Sequence, residues 1–256
     1  MSMSRVIVIT GASEGIGALL AVRQAAKGDS IIVAARRQDK LERIAKDCGG
    51  NAFVVATDVT KRAEVERLLE AALARFGHVD VWVNNAGRGI GIRVMDFSED
   101  DLDQMLAVNL KSAWYGMRAI VPHFQTRGRG HLINISSVLA RVPLVSIRSA
   151  YSASKAALNA LTANLRMDLR AQYPNIHVSL VSPGPVATQF HNNALGGTRS
   201  GRGMEMQSPE DVVQVIERVI DDPVADVYTN PASADLVQRY YRDIVAFESE
   251  LAGRSR

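Results

Sequence analysis

Scarcity narrows the class of this 256-residue chain before any motif is read. Cysteine is nearly absent. Cys48 stands alone, so no intrachain disulfide can form, and a reducing compartment is expected rather than a disulfide-stapled secreted scaffold. Long apolar runs are missing too. Stretches such as Val6-Ile7-Val8-Ile9 fall far short of the roughly 18–20 residues that cross a bilayer, and no signal-peptide pattern precedes them, so a cytoplasmic protein with no membrane span is expected. Charge of one sign is hardly in surplus. The 30 Lys and Arg against 27 Asp and Glu leave +3, and a pI near 9.1 reflects that margin rather than a basic block, so nucleic acid is not an expected partner. The five histidines, His78, His123, His131, His177 and His191, show no H-x-x-x-H or H-E-x-x-H spacing, so no metal is expected. A serine hydrolase is disfavoured by the absence of G-x-S-x-G. Aromatics make up only 5%, and Trp82 and Trp114 are read as packing residues.

What is plentiful is alternation. Short β-branched runs at Arg5–Thr10, Ser30–Ala35, Asn51–Ala56, Val79–Val83, His131–Ser136, His177–Ser182 and, more weakly, Asp226–Asn230 are separated by helical patterns such as Val65, Leu68, Leu69, Ala72 and Leu73. This is the signature of an α/β fold, a doubly wound parallel sheet with helices on both faces. Ser98-Glu99-Asp100-Asp101 and Ser208-Pro209-Glu210-Asp211 open helices with a serine cap and early carboxylates. A polar amphipathic helix is expected over Ala232–Ala252. No linker or repeat divides the chain, so one domain spanning 1–256 is expected. The stretch at about 189–207 has no period and follows a strand end, which suggests a substrate lid.

After the first strand comes Gly11-Ala12-Ser13-Glu14-Gly15-Ile16-Gly17, then a helix. Glycines there let the backbone turn sharply, approach a pyrophosphate and present free N–H groups to it. The spacing, Gly-x-x-x-Gly-x-Gly, resembles that of the short-chain dehydrogenase/reductase superfamily. Six further matches follow in order: Asp58 just past the third strand, Asn84-Asn85-Ala86-Gly87, Asn109, Ser137, Tyr151-Ser152-Ala153-Ser154-Lys155, and Pro183-Gly184-Pro185-Val186-Ala187-Thr188. The resemblance covers about residues 5–190. It implies that Gly11, Ser13, Glu14, Gly15, Ile16 and Gly17 cradle a dinucleotide, that Asp58 and Val59 meet its adenine, and that Asn85, Ala86 and Gly87 line its channel. It further implies that Pro183, Gly184, Val186 and Thr188 lie at the nicotinamide end, that Asn109 holds a relay water near Lys155, and that the chain is a homodimer or homotetramer. Beyond residue 209 the chain departs from the Gly-Gly ending of tetrameric relatives.

The second strand ends at Ala35, where a fold that prefers NAD usually carries a carboxylate for the ribose hydroxyls. Here Arg36 and Arg37 follow instead, and guanidinium groups suit a 2′-phosphate, so the expected cofactor is NADP(H). The resemblance sets Glu14 mildly against it, since many NADP-preferring relatives carry a basic residue at that loop position. Tyr151 and Lys155 are four apart in a helical stretch, Ala150–Gln172, so they share a face. A phenol beside an ammonium can protonate the alkoxide that hydride transfer leaves. Ser137, past the fifth strand, can hold the substrate oxygen, with Ser136 as the competing choice. Apolar residues in the loops Arg88–Val94 and Val138–Ser149, namely Ile90, Ile92, Val94, Leu139, Val142, Leu144, Val145 and Ile147, favour a small apolar carbonyl or secondary alcohol, although Arg93, Arg141 and Arg148 offer cations for a carboxylate. The runner-up function is a catalytically silent redox sensor of the same fold.

Overall fold

The computed structural model describes residues 4–190, 194–197 and 206–254. Seven strands, β1 (Val6–Thr10), β2 (Ser30–Ala35), β3 (Ala52–Ala56), β4 (Val81–Asn84), β5 (Gly130–Ile135), β6 (Ile176–Ser182) and β7 (Asp226–Tyr228), form one sheet in the order β3-β2-β1-β4-β5-β6-β7. Every neighbouring pair is parallel. The period-two geometry of a strand splits each run between two cores. Ile7, Ile9, Ile31 and Val33 face one layer, in which α1 (Gly15–Ala26), α2 (Gln38–Asp47) and α7 (Pro209–Asp221) pack. Val6, Val8, Ile32 and Ala34 face the other, covered by α3 (Arg62–Phe76), α5 (Ser112–Arg127) and α6 (Ser149–Arg170). Both faces are dry, which explains why the strands read as apolar runs rather than as alternations.

Several element boundaries have chemical causes. The Ser98 hydroxyl accepts from Asp101 N–H at 3.2 Å while the Asp101 carboxylate accepts from Ser98 N–H at 3.0 Å, a reciprocal cap that starts α4 (Glu99–Leu106). Ser208 accepts from Asp211 N–H at 3.0 Å and Pro209 takes the first position of α7. The strand expected from Val79 begins at Val81, because side chains take both backbone groups of Val79: its N–H donates to His123 Nε2 at 3.2 Å and its carbonyl accepts from Arg127 at 2.6 Å. Other strand limits move by one or two residues.

The expected helix Ala232–Ala252 is two helices, α8 (Ala232–Arg242) and α9 (Ile244–Arg254). Asp243 breaks it, adopting an extended backbone (φ −153°, ψ 94°) and accepting from Ala246 N–H at 2.9 Å. An aspartate satisfies helix-start donors better from outside the helix than from within it. Among the described residues no helix is long and apolar enough to cross a membrane, and no group of His, Cys, Asp and Glu is placed to hold a metal ion. His191 and most of the expected lid, at 191–193 and 198–205, lie outside the described residues.

The chain order reverses between β1 and β4, where connections leave to opposite sides of the sheet. A crevice opens there at the carboxyl ends of the strands, and the expected site residues gather around it.

Candidate active site

β1 hands over to α1 through Gly11 (φ 68°) and Gly15 (φ 61°), backbone conformations that side-chain-bearing residues rarely adopt. Close approach matters as much as dihedral freedom. A Cβ on Gly11 would lie 2.7 Å from Ala86 Cα, and one on Gly17 would lie 2.5 Å from Asn85 Nδ2. The glycine turn is stitched to the loop after β4. The Thr10 hydroxyl accepts from the N–H groups of Asn85 (3.1 Å) and Ala86 (3.2 Å), and Asn85 Nδ2 donates to the Thr10 carbonyl at 2.9 Å. Glu14 occupies the position before α1 without capping it through its side chain, so the first-turn N–H groups remain available to a ligand.

From this turn a cavity of about 670 Å³ runs along the sheet edge. Its open end is charged. Glu14 sits 2.8 Å from Arg37 and 3.1 Å from Lys40, and Arg37 also donates to the Ser13 hydroxyl at 3.3 Å. Burial works against the Asp58 carboxylate, but hydrogen bonds from Thr60 and the nearby Lys61 and Arg36 outweigh it and hold the group below the usual range.

The closed end is formed by α6. Lys155 is 4% exposed and donates from Nζ to the Ile135 carbonyl at 2.8 Å, and burial pushes its ammonium down to about 8. Tyr151 is also buried, and its ring meets the Phe190 edge at a centroid distance of 5.6 Å. Burial raises the phenol, while the Ser137 hydroxyl and the Arg148 guanidinium pull the other way without cancelling it. Ser137 starts a short 3₁₀ turn, Val138–Ala140, by accepting from Leu139 N–H at 3.2 Å. Ser136, although also on the cavity wall, donates its hydroxyl proton to Asn159 and is thereby engaged away from Tyr151.

Asn109 lies in a π-helical turn, Ala107–Lys111, that joins α4 to α5. Its amide accepts from Arg88 N–H at 2.9 Å, donates to the Arg88 carbonyl at 3.0 Å and reaches the Ser154 hydroxyl at 3.2 Å. Ser154 in turn donates to the Tyr151 carbonyl at 2.7 Å. The loop after β4, the π turn and the catalytic-looking turn of α6 are thus held as one unit.

Of the residues expected at the site, Gly11, Ser13, Glu14, Gly15, Ile16, Arg36, Arg37, Asp58, Val59, Asn85, Ala86, Gly87, Ser137, Tyr151, Lys155, Pro183, Gly184, Val186 and Thr188 all line this one cavity. Gly17 and Asn109 do not. Gly17 is packed behind the turn, and Asn109 acts through its hydrogen bonds. Six of the eight apolar substrate-loop expectations need correction. Ile90 and Val142 are fully buried core residues, Val94 is 60% exposed, and Ile92, Leu144 and Ile147 also lie off the cavity wall, which leaves Leu139 and Val145 of that set on it. Arg141 is bound to Asp226 and Tyr228 of β7 and does not line the cavity, so it is not a cation for a substrate. Arg148, by contrast, is 5% exposed, lines the cavity and donates to the Ile90 carbonyl at 2.9 Å. Phe190 falls within the stretch expected as a lid, but nothing local marks its contact with Tyr151, and Ser154, within the Tyr-Ser-Ala-Ser-Lys run, was missed although open to notice.

A dinucleotide fits these residues. A Cβ at Gly87 would stand 3.1 Å from Asn109 Oδ1 and 3.6 Å from Lys155 Nζ, so the missing side chain leaves the Lys155 ammonium approachable from the channel. The family model for the short chain dehydrogenase matches residues 5–197. The chain belongs to the short-chain dehydrogenase family. It is an oxidoreductase of that family, and similar solved proteins hold nicotinamide dinucleotides. A short-chain dehydrogenase/reductase from Burkholderia phymatum in complex with NAD is 26% identical, covers 95% of each chain and superposes with a TM-score of 0.86. A metagenomic short-chain oxidoreductase in complex with NADP is 32% identical over 89% of this chain and 98% of its own, with a TM-score of 0.75. Among curated relatives, an uncharacterized oxidoreductase of Staphylococcus epidermidis is 33% identical over 82% of this chain and 89% of its own length.

Proposed function

We propose that the protein interconverts a secondary alcohol and a carbonyl compound using NADP(H), with Tyr151 as the general acid and base. The observation that carries this reading is the closed end of the cavity: Tyr151, Lys155 and Ser137 stand together on its wall, buried, and continuous with a glycine-rich turn suited to a pyrophosphate. When bound, the dinucleotide supplies the hydride for reduction or takes it up in oxidation. In the reducing direction Ser137 holds the carbonyl oxygen and Tyr151 delivers its phenolic proton to the alkoxide that forms there. The positive charge of Lys155 then stabilises the phenolate until a proton returns. Asn109 and Ser154 keep the turn of α6 that carries both groups in place.

Apolar wall residues Leu139, Val145 and Phe190 favour a small substrate with a hydrocarbon body. Arg36 and Arg37 at the end of β2, with no carboxylate at Ala35, favour NADP(H) over NAD(H). For assembly we place a homo-oligomer contact on α5 and α6, where Trp114, Leu161 and Met167 are exposed, to be read by sedimentation velocity. The deciding experiment is NADPH oxidation against a panel of aldehydes and ketones. Turnover abolished by Tyr151→Phe supports the reading. Nucleotide binding with no turnover of any carbonyl would make the protein a redox sensor instead.

A further inference from the structure

We propose that Arg148 is a positioning residue for the general acid, a buried cation that pins the first turn of α6 to the loop after β4 and sets a second positive charge beside Tyr151. This rests on the reading of Tyr151 as general acid and base given above and deepens it. Arg148 stands just before α6, three positions ahead of Tyr151, and both side chains line the cavity. Its Nη1 donates to the Ile90 carbonyl at 2.9 Å from a position that is 5% exposed. Its backbone pairs with Ile92 in a parallel bridge, and the Ser149 hydroxyl donates to the Ile92 carbonyl at 3.2 Å. Gly89 makes room for the contact. A Cβ there would lie 2.9 Å from Arg148 Nη1 and 3.0 Å from Phe190 Cε1, so the guanidinium and the ring that packs on Tyr151 press on the same glycine.

A cation kept out of water acts strongly on its neighbours. Burial raises the Tyr151 phenol, and the Ser137 hydroxyl and the charge of Arg148 work against it. Burial likewise pulls the Arg148 guanidinium down, an effect that a Tyr151 anion opposes, so the two groups favour each other's charged forms. The other side chains clustered with Tyr151, among them Ile90, Met105, Leu139 and Phe190, are apolar. The charged groups of the surrounding elements have other partners or face water. Lys155, one turn along α6, donates to the Ile135 carbonyl, Arg88 reaches Gln104, Arg141 is bound to Asp226, and Asp101 is engaged by Ser98. Arg93 and Asp96 of the loop after β4 are exposed, as are Glu99, Asp100 and Asp103 of α4, Lys111 of the π turn and His177 of β6. Arg148 therefore shares with Lys155 the task of making the phenolate tolerable, and it holds the turn that carries both groups.

The test reads the ionisation of Tyr151 itself. With NADP⁺ bound to the full chain, the phenolate absorbance that Tyr151→Phe removes is followed against pH in the wild type, Arg148→Met, Arg148→Gln and Arg148→Lys. The midpoint should rise by roughly one unit or more in Arg148→Met and Arg148→Gln, the size of losing a neighbouring opposite charge, and should stay near the wild type in Arg148→Lys. The kcat/KM for oxidation at saturating NADP⁺, with the alcohol that matches the best carbonyl of the panel, should follow the same midpoints. On the acid side of its limb Arg148→Met should then be roughly tenfold slower or more. Should Arg148→Met fail to fold, Arg148→Gln, which keeps a donor for the Ile90 carbonyl, carries the same test. A midpoint unmoved in Arg148→Met and Arg148→Gln, or moved as far in Arg148→Lys as in them, overturns the inference while Tyr151 remains the general acid. Midpoints that shift as expected in a protein that turns over no carbonyl leave Arg148 its place beside Tyr151 and overturn the alcohol and carbonyl reading alone.

Discussion

The two ends of the cavity hold charge under opposite conditions. At the closed end Lys155 is 4% exposed and donates to a backbone carbonyl, while at the open end Arg37, Lys40 and Glu14 keep 44%, 36% and 31% of their side chains in water. A charge out of water is expensive to keep and acts strongly on its neighbours, whereas ion pairs in water are screened and worth little each. The closed end is therefore suited to chemistry and the open end to tuning. Substitutions should show it in the size of their effects and in their response to salt.

The largest effect is expected at the closed end. Tyr151→Phe removes only a hydroxyl, yet turnover should fall by roughly 10²–10⁴-fold, the usual worth of a general acid, with NADP(H) affinity held within a few-fold. Retention of more than about a tenth of the rate would break the contrast, since that loss is far below what a general acid contributes. Next in size is cofactor choice. Ala35→Asp combined with Arg36→Ala installs a ribose acceptor and deletes a phosphate partner, and should convert a preference for NADPH of roughly tenfold or more into one for NADH, as a charge-assisted contact is worth about 1.5–3 kcal/mol. The kcat/KM values for both cofactors decide it.

The third expectation is a pH limb. Lys155 is charged below its pKa of about 8 and loses its proton above it. The kcat/KM for reduction, which reports the free enzyme, should fall about tenfold per unit as pH rises beyond that point. Lys155→Arg, charged throughout, should move the limb upward if the variant folds and binds cofactor. The smallest effect sharpens the comparison most. Raising ionic strength from about 0.01 M to about 1 M shortens the screening length from about 30 Å to about 3 Å. The NADPH over NADH ratio should shrink across that range, while the pH midpoint assigned to Lys155 should stay where it is. A ratio indifferent to salt would mean that Arg36 and Arg37 are ordinary surface charge.

Local pattern carried most of the fold. The apolar runs of β1 and β2, the glycine turn and the four-residue step from Tyr151 to Lys155 are all contained in a few consecutive residues, and their structure follows from dihedral freedom and helical period. What escaped depends on residues far apart in the chain. Phe190 reaches Tyr151 across 39 positions, the Asn109 to Ser154 hydrogen bond spans 45, and the Glu14 to Arg37 pair depends on two strands lying side by side. The break at Asp243 was missed for another reason. Its flanks keep a helical period on both sides, and the helix breaks where Asp243 turns to extended backbone and its carboxylate accepts from Ala246.

The π turn at Ala107–Lys111 has an unexpected consequence for engineering and for natural length variation. It accommodates one residue more than an α-helical turn would, and each residue advances a helix by about 100°, since about 3.6 complete a turn. Deleting one of its members other than Asn109 would let α4 and α5 join as a regular helix, an outcome that local hydrogen bonding favours. Asn109 would then be swung by about that angle away from Arg88 and Ser154. A shortened enzyme could keep all its named active-site residue types and an intact sheet and still behave as if its asparagine had been removed.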